Sequence, residues 1–435
     1  MRRRTLFRAF ALACLLGLVA AACGDDDDTT TGAQTTEPSN AGSSDGGAGG
    51  SGCDDSKEPL KIGGVAQVAF FQGIEEGARA RIERANKTCI NGYRLEWVGM
   101  RDDGSDSQKN LDAARDLVEN EGVFAIIATS ANLQSQTTNY LAENKVPFFG
   151  WAINPGFCGR DSWGYGFNGC TSSFALNESG TMDIPEAKMN GSLTFPNAEL
   201  LGKDVDEYTL VVLNSDDEAG RFGDILYSKL WPPKQMLAKD FVPVQGVGDY
   251  TQYVNLVKQH NPDVVVLSTD FATAVKLKAA LRQGGYTGAV VDYTTYIPGL
   301  LESSPDTAAA LEGGYSNTQL PPAEEGGKGT QQIAEDLEAI GADPFVTMGA
   351  SVGYWSADVM IQILEDIEGE ITPDSFRETA ESGWEYEPIE GGIGPISFPE
   401  GHLNPAPCAA LVKVESGKYV PAVPFRCYEM LEPEE

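Results

Sequence analysis

The chain has 435 residues, 64 of them acidic and 31 basic, for a formal charge of −33. Such a surface repels phosphate backbones and anionic headgroups, which argues against nucleic acid as a partner, and its plainest meaning is solubility. Hydrophobic residues make up 41% of the chain, enough to exclude general disorder, and the length suits two domains that can each bury a core.

Residues 1–22 read as a signal peptide. Arg2, Arg3, Arg4 and Arg8 give a basic start, residues 9–19 are apolar, and Ala20, Ala21 and Ala22 are small. The apolar run is too short to span a bilayer as a helix. It ends at Cys23 in a pattern that resembles the lipobox of bacterial lipoproteins, although Ala20 stands where that motif usually has leucine. The resemblance implies lipid on Cys23 and anchoring on the outer side of the cell membrane; simple secretion is the alternative. Residues 23–58 then form a lipidated cysteine and a flexible tether rich in Asp, Thr, Gly and Ser. The run Asp25 to Asp28 has no fixed geometry for calcium and reads as a solvated spacer.

Beyond the tether, strands alternate with helices. Residues 60–65 form a short apolar strand, 72–86 a helix with Ile74, Ala78 and Ile82 on one face, and 95–100 a second strand. Asp106 or Ser107 can cap the next helix, which carries Leu111, Ala114, Leu117 and Val118. Residues 124–128 are continuously apolar, as a buried parallel strand should be. A helix at 133–144 and a strand at 146–150 follow. After an irregular stretch, 151–197, the pattern restarts: strands at 208–213, 240–244, 264–267 and 289–292, with helices at 220–230, 250–261 and 272–283 between them. The predicted class is α/β, with two Rossmann-like lobes built on parallel sheets. Open parallel sheets bind ligands beyond the carboxyl ends of their strands, so the loops following the strands are the candidate cleft floor.

Cys14 leaves with the signal, and six cysteines remain besides Cys23: Cys53, Cys89, Cys158, Cys170, Cys408 and Cys427. An even number in an exported chain points to disulfides, of which many pairings are possible. Local closure favours Cys158–Cys170 and Cys408–Cys427, leaving Cys53–Cys89 to tie the tether to the first helix. Only two histidines, His260 and His402, and no C-x-x-C argue against zinc. No metal and no cofactor is expected.

Several blocks together carry a family resemblance. They are VGMRDDGSDSQKNLDAARDLVENEGVFAIIATSANLQSQTTNYLAENKVPFFG from Val98, YTLVVLNSDDEAGRFGDIL from Tyr208, DYTQYVNLVKQHNPDVVVLSTDFATAVKLKAAL from Asp249 and GGIGPISFPEGHLNPAPCAALVKVESGKYV from Gly391. In order and spacing, from about Leu60 to Val420, the chain resembles the leucine/isoleucine/valine-type solute-binding proteins of ABC importers. The resemblance implies a type I periplasmic-binding-protein fold, whose lobes are joined by three hinge crossings and close on a ligand. The crossings are expected near 171–177, 312–316 and 390–394. Lobe 1 then comprises 59–172 and 314–391, and lobe 2 comprises 173–313 and 392–435. A helix at 350–365 returns to the first lobe and the C-terminal hairpin joins the second.

The same resemblance implies site residues. A ligand carboxylate is held by hydroxyls and N–H groups after the third strand, here Thr129, Ser130 and Asn132, at a helix start suited to anions; capping of that helix is the competing role. Gln67, Phe70, Phe71 and Trp151 follow other first-lobe strands and offer an apolar wall, with core packing as the alternative. In the second lobe the family places an acid and aromatics around a ligand ammonium. The acids here are Asp217, Asp270 and Asp292, and the aromatic is Tyr293, although Asp at strand ends also caps helices. The implied partners are a small molecule (a branched-chain or other amino acid, an amide or a related compound) and the membrane permease of an ABC importer, with the protein a monomer. A ligand sensor for a membrane receptor is the neighbouring reading. One enzyme motif competes: Gly349-Ala350-Ser351-Val352-Gly353, with Asp366 and His402 following in hydrolase order. A nucleophile elbow needs a strand before it, and residues 342–348, broken by Pro344, do not read as one.

Overall fold

In the computed structural model the described residues are 52–130, 132–170, 191–244 and 246–431. The expected signal peptide, Cys23, most of the tether and the first expected crossing lie outside them.

The first sheet forms from the N-terminal alternation. Strands β1 (Leu60–Ala66), β2 (Leu95–Asp102), β3 (Ala125–Thr129), β4 (Phe148–Gly150) and β5 (Gly164–Gly166) are arranged β2-β1-β3-β4-β5, all parallel. Helix α1 (Ile74–Asn86) starts at Gly73, whose φ of 89° is left-handed, and buries Ile74, Ala78 and Ile82 as their spacing predicts. Helix α2 (Ser107–Arg115) is capped by Asp106, which accepts from the Lys109 N–H, and continues as a π turn to Gly122. Helix α3 (Ser135–Glu143) starts later than expected. Strand β5 is a Gly-Tyr-Gly segment too short and too rich in glycine to be read from pattern.

The second sheet begins after helix α4 (Phe195–Leu201). Strands β6 (Leu210–Ser215), β7 (Met236–Val242), β8 (Val264–Ser268), β9 (Ala289–Asp292) and β10 (Tyr315–Thr318) run parallel in the order β7-β6-β8-β9-β10. Helices α5 (Glu218–Leu230), α6 (Thr251–His260) and α7 (Phe271–Gln283) connect them, and the short α8 (Leu300–Ser303) and α9 (Pro305–Leu311) precede β10. Strand β7 starts earlier than predicted because it is an edge strand interrupted by the exposed Lys239 and Asp240, so it lacks a continuous apolar run.

The chain then returns. Helices α10 (Lys328–Ala339), α11 (Met348–Glu365) and α12 (Pro373–Glu381) pack with the first sheet, and a short pair, β11 (Trp384–Glu385) and β12 (Ser397–Phe398), follows. The hairpin of β13 (Cys408–Glu415) and β14 (Lys418–Cys427) completes the second sheet antiparallel to β10. Because β10 pairs with both β9 and β13, the chain leaves the second sheet only after Thr318, past the expected 312–316. The return also comes later than 390–394. The turn at Glu400–His402 is held to the first lobe: the Gly159 N–H donates to the His402 carbonyl and the Cys170 N–H to those of Gly401 and Asn404. The second sheet is rejoined at Cys408.

Helix α11 is buried along nearly its whole length, and α1 crosses it through glycines. A Cβ on Gly77 would overlap the Ala350 carbonyl, one on Gly349 the Gln72 carbonyl and one on Gly353 the Ile74 carbonyl. Arg81 of α1 and Asp358 of α11 form an ion pair at 2.5 Å between these helices. Disulfides join Cys53–Cys89, Cys158–Cys170 and Cys408–Cys427, the pairing that local closure favours.

His402 is fully buried, with Nε2 2.9 Å from Glu381 Oε1, and the Tyr165 hydroxyl donates to the same oxygen at 3.2 Å. Burial pushes the Glu381 carboxyl up, but the hydrogen bond and charge of His402, with Arg377, outweigh this and hold it below its ordinary value. A carboxyl depressed in the folded state adds stability above its unfolded pKa, about 4.3, and that stability is lost as pH falls through the folded value. Glu381→Gln is therefore expected to cost about 1–3 kcal/mol at pH 7 and to flatten the loss of stability below about pH 4. Urea midpoints across that range read both effects.

Candidate functional site

Both sheets present the carboxyl ends of their strands as loops, and the crossings hold those loops near one another. In the first lobe, the turn after β1 is fixed by the Gln67 N–H donating to the Thr129 carbonyl (3.3 Å) and Gln67 Nε2 donating to Ser105 Oγ (2.7 Å). Phe70 and Phe71 meet edge to face at 4.9 Å. Only Phe70 remains half-exposed; Phe71 is 1% exposed and joins the core. Trp151 is half-buried, its ring 6.3 Å from that of Phe71.

The loop after β3 uses its hydroxyls on its own backbone. Ser130 Oγ accepts from the Asn132 N–H (2.9 Å) and Thr129 Oγ1 from the Trp151 N–H (3.2 Å), and both residues are buried. Asn132 does not cap α3, which begins after Gln134.

In the second lobe, two of the expected acids are helix caps. Asp217 Oδ1 accepts from the Gly220 N–H and from Ser215 Oγ, both at 2.7 Å, and Asp270 Oδ1 accepts from the Thr273 N–H at 3.0 Å. Asp270 Oδ2 is buried and has no hydrogen bond among the described residues. Asp292 is fully buried in an ion pair with Lys278, itself 1% exposed, and accepts from the N–H groups of Thr294 and Thr295 and from Thr295 Oγ1 at 2.6–2.7 Å. Burial pushes the Lys278 ammonium down, against the pull of Asp292. These contacts use both Asp292 oxygens inside the lobe, so its carboxylate organises the turn after β9. Tyr293 stacks on Tyr227 at 6.5 Å, and burial pushes its phenol well up.

A crevice of about 460 Å³ opens between the lobes. Phe70 and Gln72 from the loop after β1 form one wall with Phe345 and Met348, from the approach to α11. Ile297, Pro298 and Leu300, from the turn that Asp292 organises, form the other. Phe345 is 50% exposed, and a Cβ on Gly299 would lie 3.0 Å from its ring. Sequence reasoning missed Ile297, Pro298 and Phe345. The available signal was an apolar residue beside a proline just ahead of the Thr347 cap.

Ser351 lies in the first turn of α11, which follows a loop, and Gly349 and Gly353 around it serve helix packing. Asp366 accepts from Trp384 Nε1, and His402 pairs with Glu381. No described contact joins Ser351 to either. The G-x-S-x-G spacing here is a packing pattern.

Residues 60–418 match the family model described as periplasmic binding protein. The chain belongs to this family. Comparison with curated protein sequences gives no match. Solved structures share its fold. LivJ, the branched-chain amino acid transporter substrate-binding protein from Streptococcus pneumoniae, in complex with isoleucine, is 15% identical, with 85% of this chain and 100% of that one covered and a TM-score of 0.61. An ABC transporter substrate-binding protein from Aeropyrum pernix is 15% identical over 86% and 97%, with a TM-score of 0.67. A solute-binding protein from R. palustris in complex with 4-hydroxybenzoate is 15% identical over 87% and 98%, with a TM-score of 0.63. Its fold is the type I periplasmic-binding fold: two largely parallel sheets, a chain that passes between them more than once, and a crevice where their loops meet. Among the described residues no helix is long and apolar enough to cross a membrane.

Proposed function

We propose that the protein is the extracytoplasmic solute-binding component of an ABC importer, capturing a small molecule between its lobes and presenting it to a membrane permease. The observation that carries this reading is the interlobe crevice, whose 460 Å³ suits a metabolite-sized ligand and whose walls come from strand-end loops of both lobes. A ligand touching both walls favours the closed form over the open one, and a binding protein needs no more than that difference in affinity. The apolar lining from Phe70, Ile297, Phe345 and Met348 favours a ligand with a hydrocarbon or aromatic body. Branched-chain amino acids and benzoates, as found in the structural relatives, fit that description. Of the acids considered for a ligand ammonium, Asp270 has an oxygen to spare. The protein acts as a monomer without catalysis, held at the membrane by lipid on Cys23.

The test is a thermal-shift panel on the body from Gly52 onward, after partial unfolding to strip co-purified ligand. Leucine, isoleucine, benzoate, 4-hydroxybenzoate, short amides and urea form the panel. A true ligand at one hundred times its dissociation constant stabilises by about 2.7 kcal/mol, a readily measured rise in Tm. A rise confined to one chemical class supports capture and identifies the solute class. Flat curves from a folded sample would remove the reading.

A further inference from the structure

Against a formal charge of −33, one surface hollow of the first lobe is cationic. It encloses about 460 Å³ between α1, α10 and the start of β2, and its charged lining is Arg79, Arg84, Lys87 and Arg94 against Glu83 and Asp336. Asp336 is buried and already engaged: Arg84 Nη1 lies 3.2 Å from both of its oxygens, and the Tyr354 hydroxyl donates to it at 2.7 Å. Arg79, Lys87 and Arg94 are exposed, and their side chains make no hydrogen bond or ion pair among the described residues. Glu335 and Glu338, exposed acids of α10, stay out of the lining. Helix electrostatics account for part of the cluster, since Arg84 and Lys87 sit at the negative end of α1. They do not account for Arg79, which is mid-helix, or for Arg94, which precedes β2. The hollow also lies where the expected tether meets the body. Cys53 is bonded to Cys89 just past the end of α1, and its sulfur is 3.9 Å from the carbonyl oxygen of Asn86, which lines the hollow. The Asp54 N–H then donates to the Gly92 carbonyl and the Leu60 N–H to that of Arg94, both at 2.9 Å, so the entering segment runs along this edge. The covalent path from Cys23 therefore enters the fold beside these cations.

We infer that this hollow is the face the first lobe lays on the membrane, with Arg79, Lys87 and Arg94 contacting phosphate oxygens of anionic lipid headgroups. This rests on the reading that Cys23 carries lipid, which brings this end of the body to a bilayer. Guanidinium groups match phosphate oxygens in geometry as well as in charge. The acidic remainder of the chain is repelled by the same headgroups, so attraction at the hollow and repulsion elsewhere act together to turn the body hollow side down. Each basic side chain near an anionic surface raises the docked population by about fivefold, and salt screens the effect.

The test uses residues 23–435 and supplies the anchor chemically. With the other six cysteines paired, Cys23 is the free thiol, and it couples to a maleimide lipid in vesicles. Acetylation of Lys87, read by mass spectrometry, reports contact at the hollow, with the exposed Lys258 of the second lobe as reference. On vesicles of phosphatidylglycerol and phosphatidylcholine in equal parts, Lys87 should react at least about fivefold more slowly than on pure phosphatidylcholine, with Lys258 unchanged. About 1 M sodium chloride, where the Debye length is about 3 Å, should remove the difference. Arg79→Gln/Arg94→Gln should remove it as well, with Tm unchanged. Equal reactivity of Lys87 on both vesicles overturns the proposal, and so does protection that survives the double variant. If inorganic phosphate protects Lys87 equally on pure phosphatidylcholine, a soluble anion is the occupant and the membrane face falls. The mass of Cys23 in protein taken from cell membranes is a separate readout: an unmodified cysteine there overturns the anchor reading, and the proposal with it, whatever the vesicles show.

Discussion

Replacing Lys278 by methionine is expected to cost about 3–5 kcal/mol of folding stability, because it leaves Asp292 charged, buried and without its ion-pair partner. The remaining bonds to Thr294 and Thr295 fix the Asp292 carboxylate in place, so it cannot turn toward water. Lys278 also donates to the Tyr315 carbonyl (2.8 Å) and to Thr295 Oγ1 (3.0 Å), so the substitution reaches β10 as well as the turn after β9. Urea unfolding at pH 7 checks the magnitude. The double variant Lys278→Met/Asp292→Asn, with both charges gone, should recover part of the loss, and the difference measures the coupling. A cost below about 1 kcal/mol for Lys278→Met alone would mean that Asp292 is not held as a charged group. Since Asp292 shapes the turn that carries Ile297 and Pro298, Lys278→Met should also weaken ligand capture in whatever fraction remains folded.

Gly353→Val should be nearly as damaging, by a different route. Its side chain would occupy the space of the Ile74 carbonyl oxygen, which is backbone and cannot rotate aside. Helices α1 and α11 would have to separate. Overpacking typically costs about 1–3 kcal/mol and occasionally more, and the upper end applies where backbone must move. The effect should concentrate in the first lobe. Calorimetry should show one transition falling while that of the second sheet holds, which a single-transition analysis would obscure. Gly353→Ala introduces the same Cβ with less bulk and should fall between the wild type and Gly353→Val.

What could be read from the sequence follows from how local each signal was. Strands β3, β8 and β9 are short continuous apolar runs closed by a polar residue, and they stand where pattern placed them. The Asp106 and Asp270 caps belong to a signal only a few residues long. The disulfides followed from nearness in the chain. Other features depend on distant partners. An aspartate at a strand end looks the same whether it faces a ligand or a lysine, and only the fold brings Lys278 against Asp292. Phe70 and Phe71 are chemically identical neighbours; the helix start at Gly73 decides which one the core takes. The later passages between the sheets also depend on distant partners: the turn around His402 is bound by backbone hydrogen bonds to residues far earlier in the chain, and β10 pairs with β13 from far later.

The interleaving of the chain bears on when it can fold. The parallel part of the second sheet is synthesised before α11, which fills the underside of the first, and β10 stays an open edge until β13 and β14, near the C-terminus, arrive. Neither lobe can close its core on a nascent N-terminal fragment, and the pairings that finish both are among the most distant in sequence. Such contacts form slowly, since loop closure must precede them. Until those late segments are made, the early part of the chain lacks the partners that complete either core.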